Sequence, residues 1–109
     1  MNKLTDGTEL TQLIKNGDTF FLLKNSTTCP ISSDAFQEME GYSKTTDELP
    51  VYYLNVQELR DVSNHVAENF GIKHESPQLI LFKQGKPVWD TSHWNVTLKN
   101  AEKAVAELS

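Results

Sequence analysis

Apolar positions recur in two rhythms along this chain, one helical and one extended. Leu10, Leu13 and Ile14 fall at helical spacing between Thr8 and Lys15, and Asn16-Gly17 offers a left-handed stop, so a short helix is predicted over residues 7–16. Lys3 to Thr5 is admitted as a short edge strand before it. Thr19 to Lys24 is rich in Phe and Leu between Gly17-Asp18 and Asn25-Ser26, the composition of a buried strand. That strand runs straight into Thr28-Cys29-Pro30. Proline fixes φ near the helical value and lacks the N–H that a first helical position leaves unpaired, so the next helix begins at Pro30 and Cys29 becomes its N-cap. Ala35, Phe36 and Met39 continue it. Gly41 is a point where it could kink, and Pro50 imposes a boundary, which places its end near residue 47.

Val51 to Val56 has the β-branched and aromatic content of a strand, and Leu59, Val62, Val66 and Phe70 then return to helical spacing up to Gly71. Gln78 to Lys83 and Pro87 to Ser92, separated by Gln84-Gly85, read as a β-hairpin. Leu98, Ala101, Val105 and Leu108 line one face of a last helix, capped by Thr97 or Asn95. The order is αβαβαββα. A long crossover makes the first two strands parallel and the hairpin makes the last two antiparallel, so an α/β fold is expected with a mixed four-stranded sheet between helices, the N-terminal strand being an optional fifth.

Composition narrows the function classes. The 109 residues suit a single domain, 1–109, able to bury a core of its own, and 38% apolar with 23% charged residues is an ordinary globular balance. A net charge of −5 with scattered Lys and Arg gives no footprint for nucleic acid. The longest apolar runs, Phe20 to Leu23 and Leu79 to Phe82, are too short to span a bilayer, and the polar N-terminus lacks a signal-like apolar stretch, so no membrane partner and a cytoplasmic location are expected.

The single cysteine excludes an internal disulfide and an internal dithiol cycle. One Cys with His65, His74 and His93 matches no structural zinc spacing, so neither a metal nor another tightly bound cofactor is expected. Thiolate is the nucleophile in disulfide exchange, and a free cysteine is only about 3% ionised at pH 7. At a helix N-terminus the unpaired N–H groups and the positive dipole end favour S⁻. The gain in thiolate is partly offset by lower nucleophilicity, but a low-pKa sulfur also leaves a mixed disulfide faster, which suits repeated capture and release. Ser32 stands where a dithiol oxidoreductase carries its resolving Cys. A hydroxyl cannot resolve a mixed disulfide; it either donates to the thiolate or simply faces water at the helix start. The alternative for Cys29 itself is an inert, buried small residue.

Cys29-Pro30-Ile31-Ser32 after an apolar strand resembles the Cys-x-x-Cys site of thioredoxins with the second Cys replaced by Ser. Gly71 to Gly85, with Ser76-Pro77 before an apolar strand, resembles the thioredoxin cis-proline segment and hairpin. Thr28-Cys29-Pro30-Ile31-Ser32 in a chain of this length is similar, more narrowly, to the YtxJ-like monothiol bacilliredoxins. That resemblance implies a thioredoxin-like fold and a cytoplasmic oxidoreductase of the stress response. It also implies removal of bacillithiol from S-bacillithiolated client proteins: Cys29 takes the bacillithiol, and a second low-molecular-weight thiol regenerates it. It further implies that Thr28, Pro30 and Ser32 support the thiolate, and that Pro77 is cis with Ser76 beside the sulfur to pair with a substrate strand. The residues alone also allow a trans Pro77. A monomer is expected. Two other functions compete: a non-enzymatic interaction module with an inert Cys29, and an iron–sulfur cluster carrier.

Among the remaining candidates, His74 could approach Cys29 as a Cys/His pair or stand as an exposed loop residue. His65 reads as a surface residue; His93 and Trp94 follow the hairpin, and Trp89 and Trp94 read as sheet-edge packing or an apolar rim for a partner. Lys24 reads as a snorkelling surface lysine, or alternatively as a source of positive potential for the site. Glu38, Glu40, Asp47 and Glu48 read as solvated helix faces.

Overall fold

The computed structural model describes residues 1–45 and 49–108. Its elements are β1 (Asn2–Lys3), α1 (Gly7–Lys15), β2 (Phe20–Asn25), α2 (Pro30–Tyr42), β3 (Val51–Asn55), α3 (Arg60–Phe70), β4 (Gln78–Lys83), β5 (Lys86–Ser92), a 3-10 turn at His93–Asn95, and α4 (Leu98–Ala106). The strands form one mixed sheet ordered β1-β3-β2-β4-β5. β2 pairs parallel with β3 and antiparallel with β4, and β4 with β5 antiparallel. The short edge strand is therefore present, shifted to residues 2–3, and the sheet has five strands rather than four.

Strand periodicity divides the core. Phe21 and Leu23 of β2 and Leu79 and Leu81 of β4 pack against α2 and α4 through Ala35, Met39, Ala101 and Ala104. Phe20 and Leu22, with Ile80 and Phe82, pack on the opposite face against Leu10 of α1 and Val66 of α3. Both faces of β2 and β4 are covered, which is why these strands read as unbroken apolar runs rather than alternations. β2 then ends on two polar residues that inherit the same alternation, Lys24 and Asn25, at 0% and 9% exposure.

The helix starts follow local chemistry. The Asp6 carboxylate accepts from Thr8 N at 2.8 Å and Glu9 N at 3.3 Å, and Thr97 Oγ1 accepts from Asn100 N at 3.1 Å. Glu38 is not simply a solvated helix residue: its Oε1 accepts from Leu98 N at 3.0 Å, so α2 supplies a cap to α4. The β4–β5 turn has positive φ at Gln84 (53°) and Gly85 (76°), the pairing expected of a type I′ hairpin. A side chain at Gly85 would come within 2.8 Å of Ile14 O, so the hairpin can sit against α1 only with glycine there.

α2 is shorter than expected. It stops at Tyr42, with Ser43 as C-cap, and Gly41 stays within it. Ser43 Oγ donates to Glu40 O at 2.7 Å and Thr45 Oγ1 to Tyr42 O at 2.8 Å, closing carbonyls that a longer helix would have used. The rest of the expected extension, including Asp47 and Glu48, lies outside the described residues. Among the described residues no helix is long and apolar enough to cross a membrane.

Candidate active site

The site begins where β2 gives way to α2. Cys29 is the N-cap, with extended φ −104° and ψ 123°, and Pro30 is the first helical residue. The Cys29 carbonyl accepts from Ser33 N at 3.2 Å, closing the first turn. The thiol is free and half-buried. It makes no capping hydrogen bond as a neutral group, yet the same position rewards a negative charge. The Ser32 amide, then the Ile31 amide and the Ser32 hydroxyl, hold the thiol below its ordinary pKa, against an opposing push from burial.

Ser32 does not face water. It is fully buried, and its Oγ accepts from Ser26 N at 3.2 Å. That bond leaves the hydroxyl proton for the sulfur, so one side chain joins the loop to the thiol. Thr28 is placed differently. Its Oγ1 accepts from Gln57 Nε2 at 3.2 Å, so its side chain braces the loop. Gln57, in the β3–α3 connection, also donates from Nε2 to Ser26 Oγ at 2.8 Å and accepts from Thr27 N at 3.2 Å. An exposed glutamine in a connecting segment carries no sequence signal, and only the β2–β3 pairing, Asn25 opposite Asn55, brings it to this loop.

On the other side of β2 the Ser76–Pro77 peptide is cis, and Pro77 is buried. Lys24 lies opposite Gln78 in the antiparallel register, so Ser76-Pro77 falls at the same end of the sheet as Asn25 and the Cys29 loop. Pro77 O accepts from His93 N at 2.9 Å, and His93 Nε2 lies 3.5 Å from Glu75 Oε2, which ties the end of β5 to this segment. Trp89 and Trp94 divide between their two readings. Trp89 sits edge-on to Phe21 at 6.4 Å, whereas Trp94 is 66% exposed.

Lys24 is a correction. It is wholly buried, and its Nζ donates to Ser63 O at 2.9 Å and lies 3.4 Å from His74 Nδ1. Burial lowers its pKa to about 8. Ser63 Oγ also approaches His74 Nδ1, at 3.2 Å. His74 is therefore engaged with Lys24 and Ser63 on the α3 side rather than standing as a free loop residue, and burial lowers its pKa first, with the Lys24 charge adding. Gln78 fixes the same loop, donating to Lys73 O at 3.0 Å and accepting from Glu75 N at 3.4 Å. His65 is exposed and pairs with Asn69.

Asn25 and Asn55 were not distinguished by sequence reasoning. Their amides pair across β2 and β3, Asn25 Nδ2 donating to Asn55 Oδ1 at 2.9 Å, and both residues are buried. Among the described residues no three His, Cys, Asp or Glu side chains gather as a metal site. A groove of about 760 Å³ between α1 and α3, with Asp61 and His65 in its lining, does not include Cys29, Ser32, Ser76 or Pro77.

A mixed sheet between two helical layers, with a helix-capping thiol and a cis-proline at the same end of the sheet, defines a thiol protein of the thioredoxin fold. The chain matches a solved structure of a candidate oxidoreductase with a thioredoxin fold at TM-score 0.88 and 35% identity, covering 95% of this chain and 92% of that one. It matches Fasciola hepatica thioredoxin at TM-score 0.78 and 16% identity over 100% of both chains. It also matches oxidised mitochondrial thioredoxin 3 from Saccharomyces cerevisiae at TM-score 0.74 and 20% identity, over 98% of this chain and 94% of that one. The last two matches speak for the fold alone. The family model for the monothiol bacilliredoxin BrxC matches residues 2–101, and the chain belongs to that family.

Proposed function

We propose that the protein removes bacillithiol from S-bacillithiolated proteins through a mixed disulfide on Cys29. Family membership supports a thiol redox function, and the observation that carries the finer reading is the lone thiol held toward its anion by the Ser32 and Ile31 amides. In the first step the Cys29 thiolate attacks the bacillithiol sulfur of the client's mixed disulfide. The new Cys29–bacillithiol bond forms as the client S–S bond breaks, and the client leaves as a reduced thiolate. A second low-molecular-weight thiolate then attacks that bacillithiol sulfur. Cys29 leaves as thiolate, and the two small thiols depart as a disulfide, so the second thiol supplies the electrons. Ser32 donates to the Cys29 sulfur in both resting and leaving states but cannot itself take over the adduct.

Ser76 has a part in client binding. Its Oγ is buried without a hydrogen-bond partner beside the cis-proline, and an extended client segment lying along Ser76-Pro77 would supply one. An inert Cys29 on an interaction module would have a thiol at or above its ordinary pKa, contrary to the direction set by the amides. The test is incubation with a bacillithiolated client protein followed by intact-mass measurement. The adduct mass is expected on the wild type and absent from Cys29→Ala. Equal release of bacillithiol from the client by both proteins would overturn the reading.

A further inference from the structure

On the α3 side of the sheet, Lys24, Ser63 and His74 form a cluster that the exchange chemistry of Cys29 does not use. Lys24 is wholly buried, and its Nζ lies 2.9 Å from Ser63 O and 3.4 Å from His74 Nδ1. With a pKa of about 8 it is mostly ammonium at pH 7, and an ammonium has donors but no acceptor. His74 Nδ1 is therefore the acceptor of this contact, and a neutral histidine that accepts at Nδ1 carries its proton on Nε2. Ser63 Oγ, 3.2 Å from the same nitrogen, is a second donor to it. The ring stays neutral because burial first, then the charges of Lys24 and Arg60, lower its pKa against the opposing pull of Glu75. Nε2 has no partner among the described residues, and the residue is partly exposed.

The surroundings favour an anionic partner. Arg60 opens α3 within electrostatic reach of the ring, and Lys73, just before His74, is 89% exposed. The carboxylates nearest in the chain are engaged elsewhere: Glu58 with Lys3 at 3.2 Å, Glu75 with Lys73 at 3.8 Å and His93 at 3.5 Å, and Asp61 in the lining of the groove between α1 and α3. Ser76, whose buried hydroxyl awaits a partner, follows His74 by two residues. We infer that His74 is a client-recognition residue that donates from Nε2 to a carboxylate beside the modified cysteine of an acidic client segment, with Lys24 as the positioning residue that fixes its tautomer. The inference rests on the exchange role proposed for Cys29 and adds which clients that site prefers. The ammonium polarises the ring through Nδ1, so a buried charge strengthens an outward donor without exposing a cation. A neutral imidazole N–H does not protonate a departing thiolate at pH 7, so His74 acts on binding rather than on the chemical step.

Two peptides that carry bacillithiol on a single cysteine, flanked in one by Asp and in the other by Asn, test this with the full chain. Release of each peptide is followed at pH 7, and the wild type is expected to show a KM about tenfold lower for the Asp peptide, with similar kcat for the two. His74→Ala should collapse that KM ratio to below about twofold, and Lys24→Met should narrow it. Long-range NMR correlation of the ring nitrogens reads the tautomer directly: at pH 7 wild-type His74 should be protonated on Nε2 only. In Lys24→Met, Nδ1 is free to donate to Ser63 Oγ, so the Nδ1-protonated form should appear. A wild-type ring protonated on Nδ1, equal KM values for the two peptides, or a ratio that survives His74→Ala would overturn the client preference while leaving the exchange role standing. A wild type that releases neither peptide would overturn the exchange role and the preference together.

Discussion

Ser32 holds two positions at once, because its oxygen accepts from the Ser26 amide while its proton is free for the Cys29 sulfur. Ser32→Ala removes both. The Cys29 pKa is expected to rise, but only in part, since the Ser32 amide, the larger cause of the lowering, belongs to the backbone and stays. The buried Ser26 contact loses its acceptor, which should cost about 1 kcal/mol of stability. Thiolate absorbance near 240 nm against pH, with urea unfolding alongside, reads both; an unchanged thiol pKa would show that the hydroxyl does nothing for the sulfur. The thiol itself was legible at this scale, because a Cys before a Pro after an apolar strand can hardly be anything but an N-cap. The burial of Ser32 was not. A serine in the first turn of a helix has no pattern that distinguishes a water-facing hydroxyl from one turned under the preceding loop, and only the path of residues 26–28 decides it.

The loop between β2 and α2 is held from β3 rather than from its own helix. Gln57 accepts from Thr27 N and donates to Ser26 Oγ and Thr28 Oγ1, so one exposed side chain spans three consecutive residues ahead of Cys29. Gln57→Ala should leave global stability nearly unchanged, since exposed contacts of this kind contribute little once water replaces them. The Thr27 amide should nevertheless exchange faster, by about tenfold, because its local opening no longer breaks that bond. Amide hydrogen exchange checks this directly, with the core amides of β2 as the internal reference. The elements themselves were largely legible: Asn16-Gly17, Gly71 and Gln84-Gly85 ended helices and turned the hairpin where expected. α2 was overextended because its C-terminus has neither a glycine stop nor an apolar break. Side-chain bonds from Ser43 and Thr45 close it instead, and residues of that type are common within helices as well as after them.

Across the whole molecule, the sheet separates two kinds of polar burial at the end that carries the site. The alternation that sends Phe21 and Leu23 toward α2 sends Asn25 there too, beside the thiol; the alternation that sends Phe20 and Leu22 toward α3 sends Lys24. Period two alone could have placed Lys24 on the α3 face. A charged residue at a strand end usually escapes to water, which is why the sequence suggests a surface lysine, but here the 71–77 loop closes over it through His74. His74 and Ser63 meet it there, with Ser63 O as its acceptor. The consequence is a pH dependence with a definite sign. Lys24 binds its proton less well in the folded chain, at a pKa of about 8, than in the unfolded one, at 10.5. Between those values the unfolded state holds more protons, so the stability this deprotonation confers is complete above 10.5 and is lost as pH falls through 8. From pH 7 to pH 9 unfolding free energy should therefore rise by about 1 kcal/mol. Cys29 titrates in the same direction, its lowered pKa also favouring the folded state as pH rises, so the measurement belongs in a Cys29→Ser background. Urea unfolding of that variant at the two pH values should show the rise, and adding Lys24→Met should abolish it. A rise that survives Lys24→Met would assign the titration to another group and would mean that the buried ammonium is accommodated at little cost.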